Sequence, residues 1–260
     1  MRDQVKETSL IEIKSVSRLF PKGSGEDLIV LEKVDLTIRA GEIVGLLGRS
    51  GSGKSTLLRI IAGLVSPSSG QATCRGETIA GPPRGVAMVF QSFALFPWLT
   101  VLQNVELGLE ALGIDSAERR KRALAAIDLI GLDGFESAFP KELSGGMRQR
   151  VALARALAQD RPLLLMDEPF AALDAITRDL LHGELERVWR QTGRTVVFVT
   201  HNVAEAVRLG QRVLLLSSRP GRVVAEWDVP AAARHDAPAA AALTAAITAR
   251  LGQEIRRHAH

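Results

Sequence analysis

The sequence predicts an α/β fold with a mostly parallel sheet. Short apolar runs, the length of buried strands, alternate with segments whose apolar residues recur at helical spacing. The runs are Ile43–Leu47, Val86–Phe90, Leu163–Met166, Thr195–Val199 and Val213–Leu216. Strands that alternate with helices form a parallel sheet with both faces covered, and a run that is apolar throughout suits a strand in its centre.

A glycine-rich loop follows the first of these strands. Gly48–Ser55, with the sequence GRSGSGKS, fits the pattern G-x-x-x-x-G-K-[ST]. Leu57, Ile60, Ile61 and Leu64 then recur at the spacing of one helix face, so the loop stands between a strand and a helix. Glycines let successive backbone N–H groups turn toward an anion, and the helix N-terminus points the same way. The sequence therefore predicts a nucleoside triphosphate site.

Other polar residues at strand ends suit the chemistry of bound phosphates. Lys54 would neutralise the outer phosphates, and the Ser55 hydroxyl would hold Mg²⁺. Asp167 ends a buried strand, where its carboxylate can accept from Mg²⁺-bound water, and Glu168 is placed to polarise the attacking water. His201 follows a neighbouring strand and could contact the γ-phosphate or hold that water.

Two further features extend this set. Gln91 follows a strand and offers a carbonyl oxygen to a metal and an amide to water. Leu143–Met147, with the sequence LSGGM, is a second glycine-rich helix start with a hydroxyl. One chain thus carries two phosphate-binding elements far apart in sequence, which a simple kinase or GTPase would not need.

The remaining segments predict an antiparallel sheet, a helical insert and a tail. Apolar residues alternate with polar ones around Ile11–Val16 and Val34–Ile38, separated by the turn Pro21–Glu26. Residues from about Val101 to Ala158 are mostly helical, with helices over Ser116–Ile130 and from Ser144, which indicates an inserted helical subdomain over about residues 93–160. From residue 231 to 260 the chain is alanine-rich and predicts an amphipathic helix that docks on the body or on a partner.

Two aromatic features allow more than one interpretation from the residues alone. Phe20 precedes the phosphate loop and could stack on a purine base or fill the core. Phe93–Leu99, with the sequence FALFPWL, is either local core or a partly exposed surface that anchors another protein.

Composition excludes several classes of protein. The 260 residues are 46% hydrophobic and 24% charged, as in a soluble globular protein, and no apolar run approaches the about 18 residues of a membrane helix. A single cysteine, Cys74, excludes an internal disulfide framework and fits a reducing compartment. The net charge of +4 is scattered among acids, with no basic stripe interleaved with aromatics, so no nucleic-acid partner is expected.

The motifs and their order resemble those of the ATP-binding subunit of an ABC transporter, over roughly residues 9 to 228. The matching segments are the phosphate loop Gly48–Ser55, the Q-loop at Gln91, the signature Leu143–Arg150, the Walker B strand Leu163–Glu168, the D-loop Ala172–Asp174 and the H-loop at His201. The resemblance implies a P-loop NTPase (RecA-like) core with an antiparallel β subdomain and an inserted α-helical subdomain. It implies one cassette over residues 1–230, followed by the tail.

The resemblance also implies how the two phosphate-binding elements are used. In this family two cassettes pair head to tail, so Ser144 and Gly146 of one copy face ATP held by Lys54 of the other. Phe20 falls where the family places its base-stacking aromatic. Gln91 and Phe93–Leu99 fall where the family contacts the coupling helices of the membrane subunits.

The expected site follows residue by residue. The catalytic residues are Glu168, His201, Gln91 and Lys54, and the metal ligands are Ser55, Gln91 and Asp167. The nucleotide contacts are Phe20, Gly48, Arg49, Ser50, Gly51, Ser52, Gly53, Lys54, Ser55, Thr56, Ser144, Gly145 and Gly146. ATP and Mg²⁺ are the expected cofactors.

The expected partners are a second copy of the chain, transmembrane permease subunits and an extracytoplasmic solute-binding protein, with the chain peripheral on the cytoplasmic face of the inner membrane. The segments Phe96–Val101, Pro169–Asp174 and Leu216–Arg222 look like those of nitrate, sulfonate and taurine importers.

Two other function classes compete with transport. A non-transport ABC ATPase acting on nucleic acid or the ribosome usually carries two cassettes or a long coiled-coil insertion, and this sequence has neither. A small-molecule phosphotransferase would not need the signature Leu143–Met147.

Overall fold

The computed structural model describes residues 9–21, 23, 25 and 27–257. These residues divide into two compact units, of which the first comprises the described parts of Met1–Arg84 and Arg194–His260 and the second Gly85–Gly193. The predicted turn Pro21–Glu26 includes Lys22, Ser24 and Glu26, which lie outside the described residues, as do the last three residues of the predicted tail.

The first unit holds most of the strands. They are β1 (Ser9–Phe20), β2 (Leu28–Arg39), β3 (Ile43–Leu47), β4 (Ser69–Cys74), β5 (Glu77–Thr78), β8 (Thr195–Thr200), β9 (Arg212–Leu216) and β10 (Val223–Asp228), numbered along the whole chain. The second unit contributes β6 (Val86–Val89) and β7 (Leu163–Asp167).

Helices accompany both sets of strands. In the first unit they are α1 (Lys54–Ile61), α6 (Val203–Leu209), α7 (Ala231–His235) and α8 (Ala237–Arg257). In the second unit they are α2 (Val101–Glu110), α3 (Ser116–Leu129), α4 (Gly145–Ala158) and α5 (Ala175–Thr192), with a short 3-10 turn at Pro140–Glu142.

The predicted antiparallel sheet is confirmed in the first unit. Its strand order is β2-β1-β4-β5, and Ile13 lies opposite Leu36 while Val16 lies opposite Val34. Side chains of β2 alternate between buried and exposed, which is the pattern of a sheet with one face packed against the core.

The predicted parallel strands are also confirmed. In the first unit β3 pairs in parallel with both β8 and β9, and β10 adds an antiparallel edge to β9. All residues of β3, β8 and β9 are buried, as expected for central strands. In the second unit β6 and β7 pair in parallel. The chain therefore has the predicted α/β fold.

The first helix ends close to Gly63, as the sequence predicts, since α1 spans Lys54–Ile61. Leu64, which continues the apolar spacing of the predicted face, lies beyond this end and is exposed. Gly63 ends the helix because it takes a left-handed backbone with φ of 69°. A Cβ on Gly63 would lie 2.0 Å from the carbonyl oxygen of Gly81, so only glycine fits this close approach.

The predicted helices of the insert are confirmed in the second unit. Ile127 and Ile130 are buried on the predicted face of α3, and α4 follows its N-cap residue Ser144. The assignment of residues 93–160 as a distinct subdomain stays a prediction.

The alanine-rich tail docks on the first unit. Ile247 of α8 is fully buried in a cluster that includes Leu47 of β3, Val207 of α6 and Leu215 of β9. Leu243 and Leu251, at the predicted four-residue spacing, pack against the same cluster. The sequence allowed docking on the body of the chain or on a partner, and in the structure the helix docks on the body of the same chain.

Removing the buried side chain of α8 tests this docking. Ile247→Ala should lower the free energy of unfolding by about 2–5 kcal/mol, because it deletes buried methylenes and leaves a cavity. Urea titration followed by circular dichroism measures the change. Ile176→Ala is the matched control, since Ile176 is 76% exposed and the change should stay within about 0.5 kcal/mol. Equal unfolding midpoints for both variants would show that α8 adds nothing to stability.

Candidate functional site

The phosphate loop of the first unit is folded around Lys54. The Lys54 ammonium donates to the carbonyl oxygens of Gly48 and Arg49, each at 2.8 Å, and reaches Ser52 Oγ at 3.4 Å. The side chain is only 4% exposed. A buried cation at the N-terminus of a helix is suited to binding a polyanion. The geometry therefore fits the predicted phosphate contacts Gly48–Thr56.

Glycine is required where this loop enters α1. Gly53 is the N-cap residue of α1 and has a left-handed backbone with φ of 86°. A Cβ at Gly53 would lie 2.6 Å from Leu31 Cδ2 and 3.0 Å from the Val30 carbonyl oxygen of β2. Close contact with strand β2 therefore positions the loop and requires a glycine at position 53.

His201 emerges beside the phosphate loop within the same unit. Strands β3 and β8 are parallel with Leu47 opposite Thr200, so Gly48 and His201 begin at neighbouring strand ends. Asn202 caps α6 by accepting from the backbone N–H of Glu205 at 3.2 Å. The hydroxyl of Thr200 donates to the carboxylate of Glu205. These bonds hold the backbone on both sides of His201.

Phe20 is the last residue of β1 and pairs with Leu28 at the open end of the antiparallel sheet. It is half-buried, and the guanidinium carbon of Arg18 lies 4.5 Å from its ring centroid. The ring is therefore partly exposed rather than enclosed in the core. The base-stacking role of Phe20 stays a prediction.

In the second unit, Gln91, Asp167 and Glu168 lie at the carboxyl ends of the paired strands β6 and β7. Val89 lies opposite Met166 in the parallel pair β6–β7, so the residues after both strands emerge side by side. Asp167 is 1% exposed, while Gln91 Nε2 lies 3.5 Å from Glu168 Oε2. A buried carboxylate next to a more accessible one suits two different roles, a metal ligand and a base.

Glu168 holds an unusual backbone conformation. Its φ of 50° is in the left-handed region, which costs a residue with a side chain about 1–2 kcal/mol. Such conformations persist where the surroundings fix them, and they concentrate at active sites. Glu168, with this strained backbone, directly follows the buried Asp167.

The signature segment begins α4 in the same unit. Ser144 is the N-cap residue, and its Oγ accepts from the backbone N–H of Met147 at 3.2 Å. A Cβ on Gly146 would lie 3.2 Å from the Ala172 carbonyl oxygen, so the helix start packs closely on the segment after Glu168. Ser144 itself is exposed, so the N-terminus of α4 faces solvent.

Asp174 starts the next helix of the second unit. Its carboxylate accepts from the backbone N–H of Thr177 at 2.9 Å and from the Thr177 hydroxyl at 2.7 Å. These hydrogen bonds lower the pKa of Asp174. The cap therefore stabilises α5 above the ordinary pKa of aspartate and is lost as the pH falls through the lowered pKa.

The comparisons with known proteins agree with this geometry. The sequence profile of the ABC transporter family matches residues 31–171. The chain belongs to the ABC transporter family. It is an ATP-binding ABC ATPase, as the combination of the Lys54 loop and the Ser144 helix start indicates.

Named relatives of this ABC ATPase cover most of its length. The nitrate import ATP-binding protein NrtD of Synechocystis sp. is 47% identical over 219 residues, covering 84% of this chain and 82% of that protein. The taurine import ATP-binding protein TauB of Rhizobium johnstonii is 46% identical over 220 residues, covering 85% of this chain and 84% of that protein.

Solved structures of ABC cassettes share the fold. The dimeric structure of a bacterial ABC transporter cassette has a TM-score of 0.79 at 37% identity, covering 85% of this chain and 99% of that chain. A dimeric post-hydrolysis state of an ATP-binding cassette, bound to ADP and Pi, has a TM-score of 0.79 at 36% identity, with the same coverage.

The aromatic segment of the ABC ATPase lies at the surface of the second unit. Trp98 is 69% exposed and packs edge-on against Phe96, with ring centroids 5.5 Å apart. Of the two interpretations that the sequence left open, local core is wrong for these two side chains. An exposed aromatic pair is typical of a protein-binding surface. Among the described residues of the ABC ATPase, no helix is long and apolar enough to span a bilayer.

Arg155 is a residue that sequence reasoning missed. Its guanidinium, on α4, donates to the carbonyl oxygens of Phe93 and Ala94 at 2.8 and 2.6 Å. Both residues have left-handed backbones, with φ of 65° and 48°. Burial lowers the pKa of Arg155. This half-buried cation therefore holds the left-handed turn that follows Gln91, and helical spacing alone gave no sign of it.

Arg219 was also missed. Its Nη2 lies 3.4 Å from the point where Gly51 would carry a Cβ, so a second cation stands at the phosphate loop in the first unit. The turn that carries it is fixed by the Gly221 N–H, which donates to the Val30 carbonyl oxygen at 2.9 Å. Arg219 and Gly51 are far apart in sequence, and only the fold brings them together.

Proposed function

We propose that this ABC ATPase powers import of a small solute through separate membrane subunits. The observation that carries the proposal is the presence of two anion-binding helix starts in one chain, at Lys54 and at Ser144. The relatives named for nitrate and taurine import support the direction of transport. They also favour a small solute that carries an anionic group, such as nitrate, a sulfonate or taurine.

We infer that two copies pair head to tail. The Ser144 hydroxyl and the Gly145 and Gly146 backbone of one copy would then face the ATP held by Lys54 of the other copy. The dimeric state of the similar solved cassettes supports this pairing. The solvent-facing Ser144 is consistent with a surface that the second copy completes.

The proposed chemistry is hydrolysis of the γ-phosphate by water. Lys54 neutralises charge on the outer phosphates, and Glu168 takes a proton from the attacking water as it approaches phosphorus. His201 and Gln91 hold the γ-phosphate and that water in line. Phe20 stacks on the base, which needs no polar contact to the purine. These assignments rest on the family's motifs as they stand in this chain.

The predicted metal ligands fit Mg²⁺. Asp167, Ser55 and Gln91 offer a carboxylate, a hydroxyl and an amide oxygen, the hard oxygen donors that this ion prefers. Asp167 is buried at the end of β7, where a divalent cation would compensate its charge. Bound Mg²⁺ would neutralise charge that develops on the phosphates during transfer.

The proposed partners follow from the same assignment. Permease subunits would span the membrane, and an extracytoplasmic solute-binding protein would deliver the solute. The exposed Phe96 and Trp98 supply an aromatic surface for the permease. The chain would sit peripherally on the cytoplasmic face of the inner membrane.

Isolation of the native complex tests this function. Purification of the tagged chain from detergent-solubilised membranes should yield permease subunits, identified by mass spectrometry. Proteoliposomes that carry the complex, with the solute-binding protein in the lumen and ATP outside, should export labelled taurine or nitrate from the lumen. ADP is the matched control and should support no transport. Recovery of ribosomes or DNA instead of membrane subunits would contradict the proposal.

A further inference from the structure

A buried glutamine of α4 holds the segment that follows β7. Gln149 is 3% exposed, and its Nε2 donates to the Glu168 carbonyl oxygen at 2.8 Å. Its Oε1 accepts from the backbone N–H of Ala172, also at 2.8 Å. One side chain therefore bridges both ends of the segment Glu168–Ala172, inside the second unit.

The amide side chain of Gln149 satisfies both bonds. The Glu168 carbonyl needs a donor and the Ala172 N–H needs an acceptor, and the glutamine amide offers one of each. A carboxylate at this position would set a negative oxygen against the Glu168 carbonyl. An apolar side chain would leave both of these partly buried backbone groups without this partner.

The bridge acts on the residue with the strained backbone. Glu168 has φ of 50°, and its carbonyl is the group that Gln149 holds. A residue with a side chain keeps this conformation only where its surroundings fix it. The orientation of the peptide at Glu168 sets where its carboxylate points, and that carboxylate lies 3.5 Å from Gln91 Nε2.

Gln149 also belongs to the helix that begins at the signature. Ser144 is the N-cap residue of α4, and Gln149 lies about one and a half turns further on. Neighbours of Gln149 on the helix, such as Val151 and Ala152, are buried, and α4 is continuous from Gly145 to Ala158. A shift of the Ser144 end would reach the Glu168 carbonyl through one hydrogen bond of Gln149 and the Ala172 N–H through the other.

We infer that Gln149 is a positioning residue that couples the two ATP sites of the dimer. This inference rests on the proposed function, in which Ser144 contacts the ATP of the other copy and Glu168 acts on the ATP of its own copy. Contact of one ATP with the start of α4 then sets the carboxylate that hydrolyses the other ATP. Gln149 itself contacts neither nucleotide.

Steady-state ATP hydrolysis by the purified full-length chain tests the coupling, with Gln149→Glu and Gln149→Met as the test variants. Both should lower kcat at least about tenfold while KM for ATP stays within about threefold, because Gln149 acts on the base and not on ATP binding. The Hill coefficient for ATP should fall toward one. Gln191→Glu is the matched control, since Gln191 is exposed on α5, and it should behave as wild type.

A double-variant cycle separates positioning from a general loss of structure. If Gln149 works through Glu168, adding Gln149→Glu to Glu168→Gln should reduce the residual turnover less than about twofold. A structural role would multiply the two losses instead, and would overturn the inference. Gln149→Asn replaces either variant that does not fold, because it keeps the amide but cannot span the same distance, and it should show the same loss of kcat.

The outcomes also distinguish the inference from the proposed function. A wild-type chain that stays monomeric with ATP and shows a Hill coefficient of one contradicts the dimer itself. A wild-type dimer with cooperative turnover, whose Gln149 variants keep wild-type kcat and Hill coefficient, contradicts only the role of Gln149.

Discussion

Replacing Glu168 with glutamine should lower kcat for ATP hydrolysis by at least about 100-fold, because general bases contribute roughly 10²–10⁴-fold. The amide has nearly the same shape as the carboxylate and can still contact Gln91, but it cannot take a proton from water. ATP affinity should change less than about threefold, since Lys54 and the phosphate loop are untouched. Phosphate release measures turnover, and equilibrium dialysis measures ATP affinity.

With hydrolysis blocked, the variant should also accumulate an ATP-bound dimer on size-exclusion chromatography with light scattering. Glu184→Gln is the matched control, since Glu184 is paired with Arg187 at 2.6 Å on α5 and should leave turnover unchanged. Wild-type turnover in the Glu168 variant would refute its assignment as the base.

Much of this molecule was predictable because local patterns agree with the tertiary fold. The apolar run Leu163–Met166 became a buried parallel strand, and Ser144 became a helix N-cap, because each needs only its own neighbours in sequence. The phosphate loop is a similar case, since its strand, glycines and helix form one continuous segment. Such segments can be predicted from sequence because their local conformational preference agrees with the global fold.

Other features depend on contacts between distant segments. The apolar spacing of the first helix extends to Leu64, which lies beyond the helix end near Gly63, and the close approach of Gly81 at Gly63 is not visible in the sequence. Gln149 stood in the signature without a role, and its two partners became visible only when α4 lay against the loop after β7. Sequence spacing gives the face of a helix, but it does not give the backbone groups that meet this face.

The tail shows that a sequence can predict an apolar helix face without predicting the surface that covers it. Its four-residue apolar spacing predicted an amphipathic helix with one apolar face, and α8 has that face. Periodicity is the same whether such a face meets its own chain or another chain. The identity of the surface that covers it came from Val207 and Leu215, which are distant in sequence.

Replacing Lys54 with alanine should weaken ATP binding by about 10- to 150-fold, because a hydrogen bond to a charged group contributes about 1.5–3 kcal/mol. The ammonium is the charge around which the phosphate loop folds, through the carbonyl oxygens of Gly48 and Arg49. Isothermal titration calorimetry at low ionic strength measures the change. Lys121→Ala is the control, since Lys121 is exposed on α3 and its loss should leave ATP affinity as in wild type.

The loss should depend on the number of phosphates in the ligand. Lys54 interacts with the outer phosphates, whereas the proposed stacking on Phe20 involves only the base. The affinity of Lys54→Ala should therefore fall most for ATP, less for ADP and least for AMP. An equal loss for all three nucleotides would indicate that the loop has collapsed rather than lost a charge, because a misfolded loop would not discriminate between them. An unchanged affinity for ATP would show that Lys54 does not bind the outer phosphates.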